Sequence, residues 1–176
     1  MSQQLIQIQP QSQPVDIPEP AATFSPEVEA EIDRHLAKYP VMRSAILPLM
    51  FIVQRERGYL DPAGVAYLAN RLKLRYTDIW EVATFYSMIN TKPVGQYHIQ
   101  ICKTLSCKIM GEPKITEYVC NRLGIKPGET TADGKFTVSL VECLGSCGTA
   151  PMFQIGFDYH EDLTTEKVDE VLNSLL

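Results

Sequence analysis

Tyr97-His98-Ile99-Gln100-Ile101-Cys102-Lys103-Thr104-Leu105-Ser106-Cys107 and Phe136-Thr137-Val138-Ser139-Leu140-Val141-Glu142-Cys143-Leu144-Gly145-Ser146-Cys147 are the two stretches on which the fold turns. Tyr97, Ile99 and Ile101 alternate with more polar neighbours, and so do Phe136, Val138 and Leu140. That is the period of a strand with one wetter face. Each strand delivers a cysteine pair. Cys102 is the last residue of the first strand and Cys107 lies in the following loop; Cys143 and Cys147 come directly after the second. Between the stretches, Pro113 opens a helix with the stripe Ile115, Val119 and Leu123, and Gly124 stops it. Lys126-Pro127-Gly128 and Asp133-Gly134 are turns. A strand, a helix and a strand of this length predict a parallel crossover unit, almost always right-handed. Parallel neighbours end at the same sheet edge, so topology brings the two clips together where open α/β sheets place ligands.

Working outward, Met152 to Ile155 and Phe157 to His160 read as short strands around Gly156. Thr164 caps a last helix with Val168, Val171, Leu172 and Leu175 on one face. The order β-α-β-β-β-α predicts a thioredoxin-like α/β domain over residues 92–176. Upstream, Ser25-Pro26-Glu27 and Asp61-Pro62 are helix starts, and Gly58 is a stop. Four helices are predicted over residues 25–91, the second nearly apolar all round at Leu49 to Val53. The fourth runs from about Thr77 to Ser87, with Asp78 and Glu81 at capping-box spacing. Its Trp80, Phe85 and Tyr86 are read as core in preference to a contact surface. Lys92-Pro93-Val94-Gly95 is a linker. Residues 1–24, rich in Gln, Ser and Pro, are expected to be a flexible tail. The fold class is therefore α+β: an N-terminal helical bundle followed by a thioredoxin-like α/β domain.

The chain has 176 residues, a formal net charge of −5 and five cysteines. The acidic balance makes nucleic acid and an anionic membrane surface poor partners. No apolar run reaches membrane-spanning length, and the N-terminus shows no secretory pattern. Cysteines in that context point to metal or redox use in a reducing cytoplasm.

Four residues separate Cys102 from Cys107, three separate Cys143 from Cys147, and 35 lie between the pairs. Soft thiolates in two local clips suit a metal centre. Gly145 and Gly148 let the backbone approach a bulky inorganic core and aim N–H groups at its sulfurs. Three uses compete: a [2Fe–2S] cluster, a structural zinc site, and a thiol–disulfide enzyme. The last is expected to carry Cys-x-x-Cys, which is absent. Backbone dipoles, the nearby Lys103 and Lys108, or a partner protein are expected to offset the thiolate charge. Cys120 lies inside the helix after the first clip and reads as packed and unligated. His35, His98 and His160 form no constellation with the clips. Neither G-x-G-x-x-G nor a P-loop is present, so nucleotide binding by this chain is not expected.

The residues together resemble a known family. The matching motifs are Glu81-Val82-Ala83-Thr84-Phe85-Tyr86-Ser87, Lys92-Pro93-Val94-Gly95, Cys102-x₄-Cys107, Thr131-Ala132-Asp133-Gly134-Lys135-Phe136, and Val141 through Met152 with its Cys143-Leu144-Gly145-Ser146-Cys147-Gly148 centre. They are similar to the NuoE-type [2Fe–2S] subunit of NADH:quinone oxidoreductase, respiratory complex I. The resemblance covers residues 25–176. It implies one [2Fe–2S] cluster on Cys102, Cys107, Cys143 and Cys147, with no catalytic residue of the chain's own. It further implies a larger partner flavoprotein subunit that binds FMN and NADH, other complex I subunits, and a place in the cytoplasmic peripheral arm. NAD-linked hydrogenases and formate dehydrogenases use the same type of subunit, and the sequence does not separate these assemblies.

Overall fold

The computed structural model describes residues 22–175. Most of the expected tail, residues 1–21, lies outside them. Its last residues are pinned: the Ala22 N–H donates to the Ala63 carbonyl at 3.0 Å, and Phe24 packs edge-on against Tyr67. Order therefore begins before Ser25. The chain divides into two compact units, Met1–Ile89 and Asn90–Leu176.

In the first unit, helix α1 (Pro26–Leu36) starts on Ser25, whose hydroxyl accepts from the Val28 N–H. A 3₁₀ turn at Met42–Ala45 leads into α2 (Ile46–Arg57), which ends at the left-handed Gly58. Helix α3 (Pro62–Leu72) is capped by Asp61, whose carboxylate accepts from the Gly64 N–H at 2.8 Å. Helix α4 spans Tyr76–Phe85. Leu49, Met50 and Val53 of α2 are fully covered by Ile32, Val65, Leu68 and Ile79 of the other helices.

Two expectations for α4 are overturned. The capping box joins Arg75 and Asp78: the Arg75 N–H donates to Asp78, whose carboxylate also takes the Arg75 guanidinium and the Arg43 guanidinium. Glu81 instead pairs with Arg43 on the surface. The aromatic group is not core. Phe85 is 79% exposed, and Trp80 and Tyr86 are also exposed, while Ile79 and Ala83, four residues apart, form the buried stripe. Helical phase put Trp80 and Phe85 outside, and Tyr86, on the inner phase, falls past the helix end as its extended C-cap.

In the second unit, β1 (Tyr97–Cys102) is central in a four-stranded sheet of order β2-β1-β3-β4, with β2 at Phe136–Val141, β3 at Phe153–Ile155 and β4 at Asp158–His160. Strands β1 and β2 are parallel, in the register Tyr97↔Phe136 to Cys102↔Val141. Strand β3 is antiparallel to β1, and β4 antiparallel to β3. A short helix α5 (Leu105–Ile109) and then α6 (Glu112–Leu123) connect β1 to β2; α7 is Thr165–Leu175. Cys107 thus sits on a helical turn rather than in an open loop. The Tyr118 hydroxyl of α6 donates to Asp169 of α7 at 2.6 Å. Ile99, Ile101, Val138 and Phe153 of the sheet share a core with Ile115, Val119, Val168 and Leu172 of the helices. The apolar stripe of β2 ends early, because Leu140 is exposed and Val141 takes the buried place beside the clips.

The Lys92–Gly95 segment is not slack. The Gly95 N–H donates to the Thr137 hydroxyl, and a Cβ on Gly95 would meet backbone atoms of Phe136, Gly134 and Lys135 at 2.9–3.0 Å. Only glycine allows that approach.

Candidate metal centre

The sheet register decides where the clips lie. Cys102 closes β1 opposite Val141, the last residue of β2, so Cys143 emerges two residues later at the same edge. Strand β3 runs the other way, which brings Met152 to that edge, and β4 returns to bring His160 and Glu161 there. All four strands therefore contribute an end to one rim.

The two pairs meet different surroundings. Cys102 and Cys107 are each 2% exposed and pack with Ala150, Met152 and Leu144. Cys143 and Cys147 are exposed, with their sulfurs 3.8 Å apart. A tetrahedral metal with bonds of about 2.3 Å holds two of its sulfurs about 3.8 Å apart, so this pair already has the spacing of two ligands on one ion. Among the described residues, no three His, Cys, Asp or Glu side chains converge as ligands of a single ion. The thiols come as two pairs.

Backbone N–H groups converge on the sulfurs. Gly145 adopts φ +88° and its N–H donates to the Cys143 sulfur at 3.4 Å. Burial pushes the Cys102 thiol up, but the Thr104 hydroxyl, the Leu144 and Thr104 N–H groups and the Cys107 thiol together outweigh it and hold Cys102 below its ordinary value. Cys107 is pushed up to about 11, first by burial and then by its bond to Cys102, with the Met152 N–H pulling the other way and Cys147 adding repulsion. Leu144 of the second clip packs against the buried cluster that holds Cys102 and Cys107, so the clips face each other.

The rest of the rim fixes the second clip. The Glu161 carboxylate accepts from the Ser146 hydroxyl and, at 2.6 Å, from the Thr149 hydroxyl. The Tyr159 hydroxyl donates to the Leu144 carbonyl at 2.6 Å. The Asp162 N–H donates to the Thr149 carbonyl at 2.7 Å. Sequence reasoning did not single out Tyr159 or Glu161. Neither carries a local signal: Tyr159 lies in the three-residue β4 and Glu161 just past its end. Lys103 and Lys108 do not stand free to offset thiolate charge: Lys103 pairs with Glu142 at 3.0 Å, and Lys108 lies 3.9 Å from the buried Glu112.

The remaining candidates are taken up by other partners. Cys120 is half-buried on α6 among the residues of the sheet core, and burial raises its thiol. His98 is satisfied by the Ser139 hydroxyl at 2.8 Å, and His160 packs against the Phe153 ring; burial lowers both imidazoles.

A family model described as thioredoxin-like [2Fe-2S] ferredoxin matches residues 32–176. The chain belongs to that family. The E subunit of the NADH-quinone oxidoreductase of Rickettsia felis is 49% identical over 141 residues, covering 78% of this chain and 84% of that one. An E-type subunit of the same enzyme from Rhizobium meliloti is 42% identical over 144 residues, covering 82% and 86%. Among solved structures, an NAD+-reducing [NiFe]-hydrogenase in the air-oxidized state shares the fold, with a TM-score of 0.62 and 24% identity over 72% of this chain. This chain spans about a fifth of that one, 22%.

The cofactor of this thioredoxin-like ferredoxin family is a [2Fe–2S] cluster. The residues at the rim fit it in donor chemistry: four thiols in two pairs, one pair at ligand spacing, with the Gly145 N–H directed at the Cys143 sulfur. Among the described residues, no helix is long and apolar enough to cross a membrane.

Proposed function

We propose that this chain is the small electron-transfer subunit of an NADH:quinone oxidoreductase, with Cys102, Cys107, Cys143 and Cys147 as the ligands of its cluster. One observation carries the assignment. The parallel β1–β2 register brings the ends of the two clip-bearing strands to one sheet edge, and there Leu144 of the second clip packs against the buried cluster that holds Cys102 and Cys107 of the first. Relatives 42–49% identical, named as E subunits of NADH-quinone oxidoreductase, support the enzyme class.

When bound, the cluster supplies one-electron chemistry. The chain's own work is to hold and shield. Cys102 and Cys107 anchor the inner side beneath Met152, Ala150 and Leu144, which keep water out. Cys143 and Cys147 hold the outer side toward solvent and a partner. The Gly145 N–H would stabilise negative charge on the Cys143 sulfur. The electron donor in this reading is the FMN of a larger NADH-binding subunit, in the cytoplasmic peripheral arm of the complex. Residues 25–91 form a helical bundle domain and residues 92–176 the cluster domain.

Iron and sulfide reconstitution of the purified chain tests the reading. Expected are about two irons and two sulfides per chain, visible colour, and a spin-half signal after one-electron reduction. A colourless chain holding one zinc per molecule, even with ample iron, would sink it. Affinity capture from the native organism separates the candidate assemblies: flavoprotein and quinone-reductase subunits are expected, not hydrogenase or formate dehydrogenase subunits.

A further inference from the structure

We propose that Tyr159, on the edge strand farthest from β2, and Glu161, just past its end, are positioning residues that clamp the second clip and set the cluster's electrostatics in opposite directions. The inference rests on the ligand assignment above. It concerns two side chains outside both clips and outside every motif that carries the family resemblance.

The geometry forms a relay. Tyr159 lies in β4 and Glu161 follows directly after the strand ends at His160. The Tyr159 hydroxyl donates to the Leu144 carbonyl at 2.6 Å. The N–H of the same peptide unit, that of Gly145, donates to the Cys143 sulfur at 3.4 Å, and the Leu144 side chain packs against the buried cluster that holds Cys102 and Cys107. One tyrosine thus fixes a peptide unit whose N–H serves Cys143 and whose Leu144 side chain covers the other pair. Glu161 holds the other end of the clip through the hydroxyls of Ser146 and Thr149, which flank Cys147. Glu161 is itself held, because the next residue's N–H, that of Asp162, donates to the Thr149 carbonyl at 2.7 Å.

The two residues differ electrically. Tyr159 is neutral and acts by aiming N–H dipoles at sulfur; hydrogen bonds to sulfur favour the reduced, more negative cluster. Glu161 brings a full negative charge to the hydroxyls beside Cys147, and added negative charge disfavours the reduced form. Tyr159→Phe keeps the ring and removes only the hydroxyl. Glu161→Gln keeps an oxygen that accepts from both hydroxyls and removes only the charge.

The test compares the full chain with Tyr159→Phe, Glu161→Gln and Tyr118→Phe. The last removes a tyrosine–carboxylate bond on α6, away from the clips. In the cluster-free chain, amide hydrogen exchange at Leu144 and Gly145 is expected to be roughly three- to tenfold faster in Tyr159→Phe, the equivalent of one lost hydrogen bond. In the loaded chain, Tyr159→Phe is expected to lower the midpoint potential and shorten the cluster's half-life under an iron chelator by a similar factor. Glu161→Gln is expected to raise the potential, and Tyr118→Phe to match the parent in every readout. Shifts of the same sign in Tyr159→Phe and Glu161→Gln, or an equal effect from Tyr118→Phe, would mark a general structural loosening and overturn the clamp. Unchanged exchange at Leu144 and Gly145 in Tyr159→Phe overturns it without reference to the cluster. Failure of the parent chain to take up iron and sulfide tells instead against the function proposed above, while the exchange readout still decides the clamp.

Discussion

Cys120 shares a folding unit with the four paired cysteines but not their surroundings. It lies among core side chains of α6, and no backbone donor is directed at its sulfur in the geometry described. Cys120→Ser is therefore expected to keep full iron and sulfide content. Cys143→Ala is expected to lose most of it, because the 3.8 Å pair with Cys147 is broken; equal iron content in the two variants contradicts the ligand set. Asp78 offers a second residue-scale outcome. Its carboxylate takes Arg75 and Arg43 together with the Arg75 N–H, which holds it well below the usual carboxylate range despite burial. A depressed folded-state value means that the stabilisation is full above the unfolded-state value near pH 4. It is lost progressively as the pH falls toward the folded-state value. Asp78→Asn should cost about 1–3 kcal/mol at neutral pH. The gap from the parent should narrow in acid, as read from denaturant melts at several pH values. A constant gap across that range would show that Asp78 acts through packing instead.

At the scale of elements, the strands and most helices were legible because their residues repeat with a clear period and end in recognisable stops. Ile99 and Ile101, Phe136 and Val138, and the Ile115–Val119 pair all went where their spacing predicts. What was not legible has particular causes. Helix α5 has five residues, too few for a stripe. The α4 cap uses Arg75, a residue type with no intrinsic capping preference, and works only because Asp78 reaches back. Trp80 and Phe85 are apolar by type but lie off the phase set by Ile79 and Ala83, and Tyr86, which continues that stripe, is the extended C-cap past the helix end. The quartet itself was visible from the cysteine spacing and the strand order. The Tyr159 and Glu161 contacts were not, since nothing local marks a residue that acts on a loop 12–15 positions upstream. Gly95 gives the element-scale prediction. Gly95→Ala would push a Cβ into the backbone at the start of β2, so a loss of about 1–3 kcal/mol is expected in the unfolding of the second unit. A change below a few tenths of a kcal/mol would mean that the Lys92–Gly95 segment yields freely.

For the molecule as a whole, the acidic net charge of −5 and a rim that leaves Leu105, Ile109 and Met110 exposed beside Cys107 describe a chain adapted to contact rather than to turnover. In isolation it is expected to reduce no quinone with NADH at a measurable rate, while accepting single electrons from a low-potential chemical donor once loaded. Appreciable NADH oxidation by the isolated, flavin-free chain would contradict its role as a relay. The placement of Cys102 on the central strand also has a consequence for how the protein is made. The ribosome completes Cys102 and Cys107 about forty residues before Cys147. At about 5–20 residues per second, that is an interval of roughly 2–8 s. During it, the inner thiols have no β2 beside them and no Met152 above them. The pair that ends most protected in the finished protein thus begins as the most vulnerable, and a newly made chain depends on the reducing power of its compartment until the sheet closes.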